Sequence, residues 1–234
     1  MMAVTCGDVY LLAQTVLYIV GSLAGMAAII PLALAYSELG GRCLLNAEVD
    51  WKSSTRTLTY GESSMCTFPM WLFVFGTFVY GAVLAVSHAR TLWKIRQNPA
   101  IRSEVWVVPF LMINGVVTVL LFIASCIISV GFQKFCSSVV DGAKDAGYEY
   151  LVKRCVDFEK LTWTQEGTGW VHDGGKSIVY LTFAQILSWA CFLVWLIQTM
   201  LSVVRLCRNI KEGTTGNTRT AADMTNIADE EPTA

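Results

Sequence analysis

Four long apolar stretches that contain no Asp, Glu, Lys or Arg constrain this chain more than any other feature. They cover residues 9–37, 71–87, 105–133 and 177–204, so all 17 basic and all 18 acidic residues lie outside them. A bilayer core is about 30 Å thick, and a helix needs roughly 20 apolar residues to cross it. Backbone N–H and C=O groups find no partner in lipid, so each span must be helical. The pattern predicts an all-α membrane protein, a four-helix transmembrane bundle.

The composition supports a membrane protein. Hydrophobic residues make up 54% of the 234 residues and charged residues only 15%, which is too apolar for an ordinary soluble domain. The net charge of −1 comes without a clustered basic face, which excludes a nucleic-acid partner. The lipid bilayer is therefore the one partner that composition predicts.

The first apolar stretch resembles a signal peptide in one respect only. Ala33-Leu34-Ala35 mimics an A-x-A cleavage site. However, the segment before Tyr10 has no Lys or Arg, and the apolar run is about twice the usual length of 7–15 residues. We expect it to be retained as a transmembrane helix.

Basic residues near the span ends predict the orientation. They concentrate in the short connection between spans two and three and directly after span four, at Arg90, Lys94, Arg96, Arg102, Arg205, Arg208 and Lys211. The positive-inside rule places such segments in the cytosol. We expect both termini in the cytosol and two longer connections, 38–70 and 134–176, on the outer or lumenal side of the plasma membrane or a secretory-pathway membrane.

Four cysteines fall in these two outer connections. Cys43 and Cys66 lie in the first, and Cys136 and Cys155 in the second. An oxidising compartment favours disulfides, and four cysteines allow three pairings. We favour pairing within each connection, which closes loops of roughly 20 residues worth about 3 kcal/mol each in the chain-entropy model. A pairing across the two connections stays open. The spacing lacks Cys-x-x-Cys and is a poor metal site.

The first outer connection has the pattern of a small antiparallel sheet. Leu45, Ala47, Val49 and Trp51 alternate with polar residues, which is the period of a half-buried strand. Residues 55–60 are rich in β-forming residues and end at Gly61, and residues 52–54 suit a turn. We predict a β element stapled by Cys43 and Cys66.

The second outer connection has a weaker pattern. Apolar residues between 137 and 160 have a loosely helical spacing, so the third helix is expected to continue above the membrane until Gly142 or Gly147. Trp163 and Trp170 follow in a glycine-rich segment. We interpret them as exposed side chains that anchor at the lipid interface, with contact to a partner as the alternative.

The spans offer packing and modification sites. Gly21 and Gly25 have the small-xxx-small spacing that lets helices approach closely, within the bundle or against a partner. Cys207 lies between two arginines at the cytosolic face and is a candidate for S-palmitoylation, with an unmodified thiol as the alternative. The strongest polar groups within the spans are amides that we expect to bond between helices: Gln14, Asn114, Gln185 and Gln198.

Catalytic patterns are absent from the sequence. The spans hold no ionisable residue of the kind that coupled transporters need. The two histidines, His88 and His172, are predicted on opposite sides of the membrane, and no Gly-rich phosphate loop occurs. We expect no enzyme, no cofactor and no metal.

The last 23 residues differ from the rest in composition. Residues 212–234 contain no aromatic residue and are rich in Thr, Ala, Gly, Asp and Glu. Such a segment cannot bury enough apolar surface to offset its ordering entropy. We predict a transmembrane domain over 1–211 and a disordered cytosolic tail over 212–234.

Several short motifs, in order and at similar spacing, resemble the transmembrane protein 179 family up to about residue 212. They are Gly41-Arg42-Cys43-Leu44-Leu45, Ala89-Arg90-Thr91-Leu92, Phe122-Ile123-Ala124-Ser125, Ser129-Val130-Gly131-Phe132 followed by Cys136, and Trp163-Thr164. The resemblance implies a four-span membrane protein with cytosolic termini, and it supplies no catalytic or ligand-binding residue. The overall shape is also similar to claudins and tetraspanins, although the Gly-Leu-Trp motif of the former and the Cys-Cys-Gly motif of the latter are absent.

Two functions fit these observations. The first is a non-enzymatic accessory or organising protein that binds other membrane proteins through its outer loops. The second is a small oligomeric pore or transporter lined by amides and hydroxyls.

Overall fold

Five helices and a four-stranded sheet make up the described part of the protein. The structure, a computed structural model, describes residues 6–51, 57–97, 108–165, 171–173 and 175–228. The helices are α1 (Cys6–Glu38), α2 (Ser63–Trp71), α3 (Tyr80–Gln97), α4 (Val108–Asp145) and α5 (Ser177–Ala228), with a π-helical segment at Leu72–Val79 and a 3-10 helix at Cys155–Lys160. The strands are β1 (Cys43–Asp50), β2 (Thr57–Gly61), β3 (Thr162–Gln165) and β4 (Val171–Asp173).

Four helical segments are long and apolar enough to cross a membrane. They are Val9–Glu38, Ser63–Ile95, Pro109–Asp145 and Ser177–Arg208. The predicted four-span helical fold is therefore confirmed. The predicted β element of the first connection, with its Cys43–Cys66 disulfide, is confirmed as well.

The second span is longer than its charge-free stretch. The stretch 71–87 holds too few residues to cross a bilayer comfortably, but α2, the π-helical segment and α3 follow one another without a break. The wide π turn holds Phe73 and Thr77, whose side chains are both fully buried. Thr77 Oγ1 donates to the Phe73 carbonyl at 2.6 Å, which satisfies its hydroxyl in the apolar interior.

The third span continues far beyond the membrane, as the sequence predicted. The 38 residues of α4 would extend about 57 Å, roughly twice the thickness of a bilayer core. Its last turns remain helical because Phe135, Val139 and Ala143 are completely buried on one face. The helix ends in a turn at Gly147, which has a φ of 81° that favours glycine.

Helices α1 and α5 form the most extensive contact between two spans of the bundle. Helix α1 also packs against α3 and the π-helical segment, while α5 also packs against α4. Helix α5 continues past residue 211 to Ala228. The disorder of residues 212–234 stays a prediction. It rests on the polar composition of the segment and on Gly213 and Gly216, which lower its helix propensity.

The sheet joins the two long connections. Strands β1 and β2 are antiparallel, β2 and β3 parallel, and β3 and β4 antiparallel, in the spatial order β1-β2-β3-β4. Strands β1 and β2 come from the first connection and the other two from the second. The turn predicted at residues 52–54 lies outside the described residues. We call the unit formed by residues 39–62 and 131–176 the loop domain.

Candidate functional site

Two disulfides tie the loop domain to the ends of the helical spans. Cys43, the first residue of β1, bonds to Cys66 of α2, with 5.7 Å between their Cα atoms. Cys136 of α4 bonds to Cys155 of the 3-10 helix, with Cα atoms 5.1 Å apart. The structure thus has the pairing within each connection rather than across the two. Each disulfide fixes one connection to the span beside it.

A bulge in β1 brings β2 unusually close. The register between the two strands shifts between Cys43 and Glu48, and Asn46 has a φ of 64°. Asn is one of the few residues that tolerate this left-handed conformation. A Cβ on Gly61 would overlap the Leu45 carbonyl oxygen, so β2 can only end here on a glycine.

The part of α4 above the membrane supports β1. A Cβ on Gly131 would lie 3.0 Å from the Leu45 Cβ, and a Cβ on Gly142 would lie 2.8 Å from the Trp51 indole. These two glycines let strand and helix touch. Ser138 Oγ accepts a hydrogen bond from the Val49 amide at 2.8 Å, which satisfies an N–H on the outer edge of β1. Helix α4 therefore covers one edge of the sheet.

Aromatic side chains from both connections form the core of the loop domain. The Trp163 ring stacks on Phe158 with centroids 4.6 Å apart, and Trp51 meets Trp163 edge-on at 5.4 Å. Phe158 in turn contacts Phe135 of α4 at 5.1 Å. Trp163 is only 1% exposed, and its Nε1 donates to the Phe158 carbonyl at 3.0 Å. The interpretation of Trp163 as an exposed interface anchor was wrong, because its ring fills this core. Trp170 lies outside the described residues.

Two carboxylates hold the start of α5. Glu38, at the end of α1, accepts a hydrogen bond from the Lys176 amide at 3.0 Å. Glu159, from the 3-10 helix, accepts from the amides of Ile178 and Val179 at 3.0 and 3.1 Å. Both negative charges lie at the positive end of the α5 dipole, which stabilises them. They join the loop domain to α1 and α5.

A third carboxylate stabilises the 3-10 helix. Lys160 Nζ lies 2.8 Å from Asp157 Oδ1, and the amides of Arg154 and Lys153 donate to Oδ2 at 3.0 and 3.2 Å. The Lys160 hydrogen bond, followed by that of the Arg154 amide, lowers the pKa of Asp157 below its usual 3.8. All three carboxylates thus accept hydrogen bonds from main-chain amides at the start of a helix.

The outer surface of the loop domain carries an exposed aromatic residue. Tyr150 is 72% exposed, in the turn that follows α4. Glu149, Lys153 and Arg154 beside it are exposed as well. The Cys136–Cys155 disulfide closes the loop that contains these residues. We call residues 149–154 the apical turn.

A buried polar cluster cross-links the spans. Asn114 is completely buried, and its Nδ2 donates to the Tyr18 hydroxyl at 2.6 Å, while the Tyr80 hydroxyl donates to its Oδ1 at 3.2 Å. His88 lies beside Tyr18, with ring centroids 5.1 Å apart. His88 is thus inside the second span, where the sequence suggested no ionisable residue.

The other three predicted amides differ in their surroundings. Gln14 Nε2 donates to Ser202 Oγ at 3.1 Å and so bonds α1 to α5, as expected of an amide in a span. Gln198 is buried, and its main-chain carbonyl, rather than its side-chain amide, accepts a hydrogen bond from Ser202 Oγ at 2.9 Å within α5. Gln185 is half-buried on α5. The roles of Tyr18 and Tyr80 left no sign in the sequence, because a tyrosine within an apolar stretch looks like any other aromatic residue of a span.

The two predicted packing glycines face other parts of the same chain. A Cβ on Gly21 would lie 3.1 Å from Trp195 Nε1 of α5, and a Cβ on Gly25 would overlap Thr77 Oγ1 of the second span. This geometry favours close packing within the bundle over contact with a partner helix. Cys207 is an exposed free thiol, and its palmitoylation stays a prediction.

The described residues offer little for catalysis. Among them, no three His, Cys, Asp or Glu side chains come together to hold a metal ion. His88 is buried within the bundle, and the side chain of His172 lies outside the description.

Comparison with known proteins identifies the family. A model described as the transmembrane protein 179/179B claudin domain matches residues 10–230, which is nearly the whole chain. No solved structure matches the chain. The match includes all four spans and both connections, so the resemblance seen in the short motifs is confirmed. The chain belongs to the transmembrane protein 179/179B claudin-domain family.

Proposed function

We propose that this protein is a non-enzymatic accessory or organising protein that binds other membrane proteins through its loop domain. The observation that carries the proposal is the sheet, which joins both connections into one domain stapled by two disulfides. A domain held in this way loses little conformational entropy when it binds. Membership of a claudin-domain family of multi-pass membrane proteins supports the same reading.

The spans serve as a scaffold in this proposal. Asn114, the amide that a pore would need, is fully buried and is bonded to Tyr18 and Tyr80. The Gln14 amide is bonded to Ser202 and Arg205. Polar groups that bond to one another are not available to line a water path. The alternative of a small oligomeric pore therefore gains less support.

The proposed orientation places the loop domain outside the cytosol. Basic residues cluster at the opposite ends of the spans, and disulfides persist in the oxidising lumen and extracellular space. Both termini then lie in the cytosol. The loop domain faces the space in which the outer parts of other membrane proteins are found.

We assign the contact to the apical turn. Tyrosine and arginine are enriched among the residues that dominate binding energy at interfaces, and Tyr150 and Arg154 are both exposed here. The Cys136–Cys155 disulfide closes the loop that contains the turn and so restricts its conformations before a partner binds. A partner with a small apolar pocket and polar rim would fit this surface.

The experiment compares crosslinked partners of variants in native membranes. Tyr150→Ser should reduce recovery of stoichiometric partners more than tenfold, since a dominant interface residue contributes about 2 kcal/mol. Tyr150→Phe should retain them. Trp93→Ser is the matched control, because Trp93 is an exposed aromatic residue at the predicted cytosolic end of α3. Equal recovery with Tyr150→Ser, or equal loss with Trp93→Ser, would refute this assignment.

A further inference from the structure

Two arginines at the end of the fourth span each contact a side chain of α1. Arg205 Nη1 donates to Gln14 Oε1 at 3.1 Å. The Arg208 guanidinium lies over the Tyr10 ring, 5.0 Å from its centroid. Arg205 and Arg208 are three residues apart and so lie on one face of α5. Tyr10 and Gln14 are four residues apart and lie on the face of α1 opposite them.

The position of Arg205 is set in advance by a chain of hydrogen bonds. Gln14 is 3% exposed, and its amide nitrogen is already bonded to Ser202 Oγ at 3.1 Å. Ser202 Oγ in turn donates to the main-chain carbonyl of Gln198 at 2.9 Å. With its nitrogen thus occupied, Gln14 can only present its oxygen to Arg205. The hydrogen bonds between α1 and α5 therefore fix the position of the Arg205 guanidinium.

Arg205 carries a charge that this neutral partner does not compensate. Its side chain is half-buried, and a desolvated charge favours a counter-charge within hydrogen-bond reach. A guanidinium has five N–H donors, of which the Gln14 oxygen occupies one. Planar guanidinium groups match the geometry of phosphate oxygens, often through two parallel hydrogen bonds.

The position of the two arginines along the spans indicates that the phosphate belongs to a lipid headgroup. The first and fourth spans are bounded at this end by Val9 and Arg208, so the pair lies where the bilayer core gives way to headgroups. Lys211 adds a further exposed positive charge one turn beyond. Asp8 and Glu212 are the nearest acidic residues in the sequence and are fewer than these three basic residues. Basic sites between helices at this depth suit anionic headgroups.

We propose that the ends of α1 and α5 bind the phosphate headgroup of an anionic phospholipid in the adjacent leaflet. Arg205 and Arg208 donate hydrogen bonds to the phosphate oxygens, and Gln14 positions Arg205. The acyl chains remain in the bilayer beside the lipid-facing side of the two helices. This site is independent of the loop domain and of any partner bound there.

Native mass spectrometry of the full chain tests the proposal. The protein in mild detergent would be titrated with phosphatidylinositol bisphosphate, with phosphatidylcholine as the neutral reference. Arg205→Gln and Arg208→Gln should each weaken binding of the phosphoinositide about fivefold, and Gln14→Leu should weaken it while both arginines remain. Lys94→Gln is the matched control, because Lys94 is an exposed basic residue of α3 at the same predicted membrane face.

Three outcomes would overturn the proposal. The first is an equal loss with Lys94→Gln, which would indicate a diffuse charge effect. The second is equal binding of phosphatidylcholine. The third is complete displacement of the phosphoinositide by an equal concentration of soluble inositol trisphosphate, which would assign the site to free phosphates. If Arg205→Gln does not fold, Arg208→Gln and Gln14→Leu decide between the outcomes.

Discussion

Single glycines decide how closely the elements of this protein approach. Gly25 permits α1 to touch the second span, Gly142 permits α4 to touch Trp51, and Gly61 permits β2 to approach the β1 bulge. In each case a methyl group would meet a buried atom. By contrast, Gly115 on α4 would place its Cβ at least 4 Å from any neighbour. Gly115 therefore serves as a control for substitutions of the closely packed glycines.

Gly25→Ala should destabilise the bundle by about 1–3 kcal/mol, the usual cost of overpacking. The added methyl would overlap Thr77, which is fully buried and bonded to the Phe73 carbonyl, so it cannot turn away into solvent. Gly115→Ala should be neutral or stabilising, since alanine is favoured over glycine in a helix by about 1 kcal/mol. Thermal unfolding in detergent measures both. Equal melting temperatures for the two variants would contradict this packing.

At the scale of elements, the 3-10 helix depends on the ionised Asp157. Its lowered pKa means that the carboxylate binds fewer protons in the folded than in the unfolded state near pH 4. The resulting stability is fully present above the ordinary pKa of 3.8 and is lost as the pH falls through the lower, folded value. The hydrogen bonds at the Cys155 end of the 3-10 helix should therefore weaken only in acid.

Asp157→Asn tests this linkage. The variant should melt at a lower temperature than the unmodified protein at neutral pH, and the difference should shrink below about pH 4 as the native carboxylate becomes protonated. Melting temperatures between neutral pH and about pH 3 provide the measurement. A difference that stays constant over this range would show that ionisation of Asp157 contributes nothing.

The elements that the sequence predicted well are those with local signals. The four spans follow from uninterrupted apolar runs, β1 from the alternation that ends at Trp51, and β2 from a run of β-forming residues that ends at Gly61. Strands β3 and β4 were missed because they are only four and three residues long and pair with distant residues. The prediction that Trp163 is exposed was wrong because a single tryptophan in a loop is as typical of a buried core as of the lipid interface.

The polar cluster of the bundle could be predicted only in part. The amides of Gln14 and Asn114 stand out in apolar stretches, and both bond between helices. Tyr18 and His88 gave no such signal, because a buried phenol and an imidazole near a span end look ordinary in sequence. Their meeting depends on the order in which the helices pack, which no local pattern encodes.

For the whole molecule, the central claim is that both long connections fold into one domain above a four-helix scaffold. The contact on which this depends is the parallel pairing of β2 with β3, in which Thr57 lies opposite Thr164. Among the described strands, it is the pair that crosses from the first connection to the second. It adds main-chain pairing to the side-chain contact between Trp51 of the first connection and Trp163 of the second.

Cysteine crosslinking of this pair is the most direct test. In the double variant Thr57→Cys, Thr164→Cys, mild oxidation should join the two positions, because partner residues on adjacent strands lie about 5 Å apart. The control combines Thr57→Cys with Lys153→Cys, an exposed position outside the sheet. Non-reducing peptide mapping would identify the new bond beside Cys43–Cys66 and Cys136–Cys155. We predict efficient joining of 57 to 164, whereas joining no greater than in the control would contradict a single loop domain.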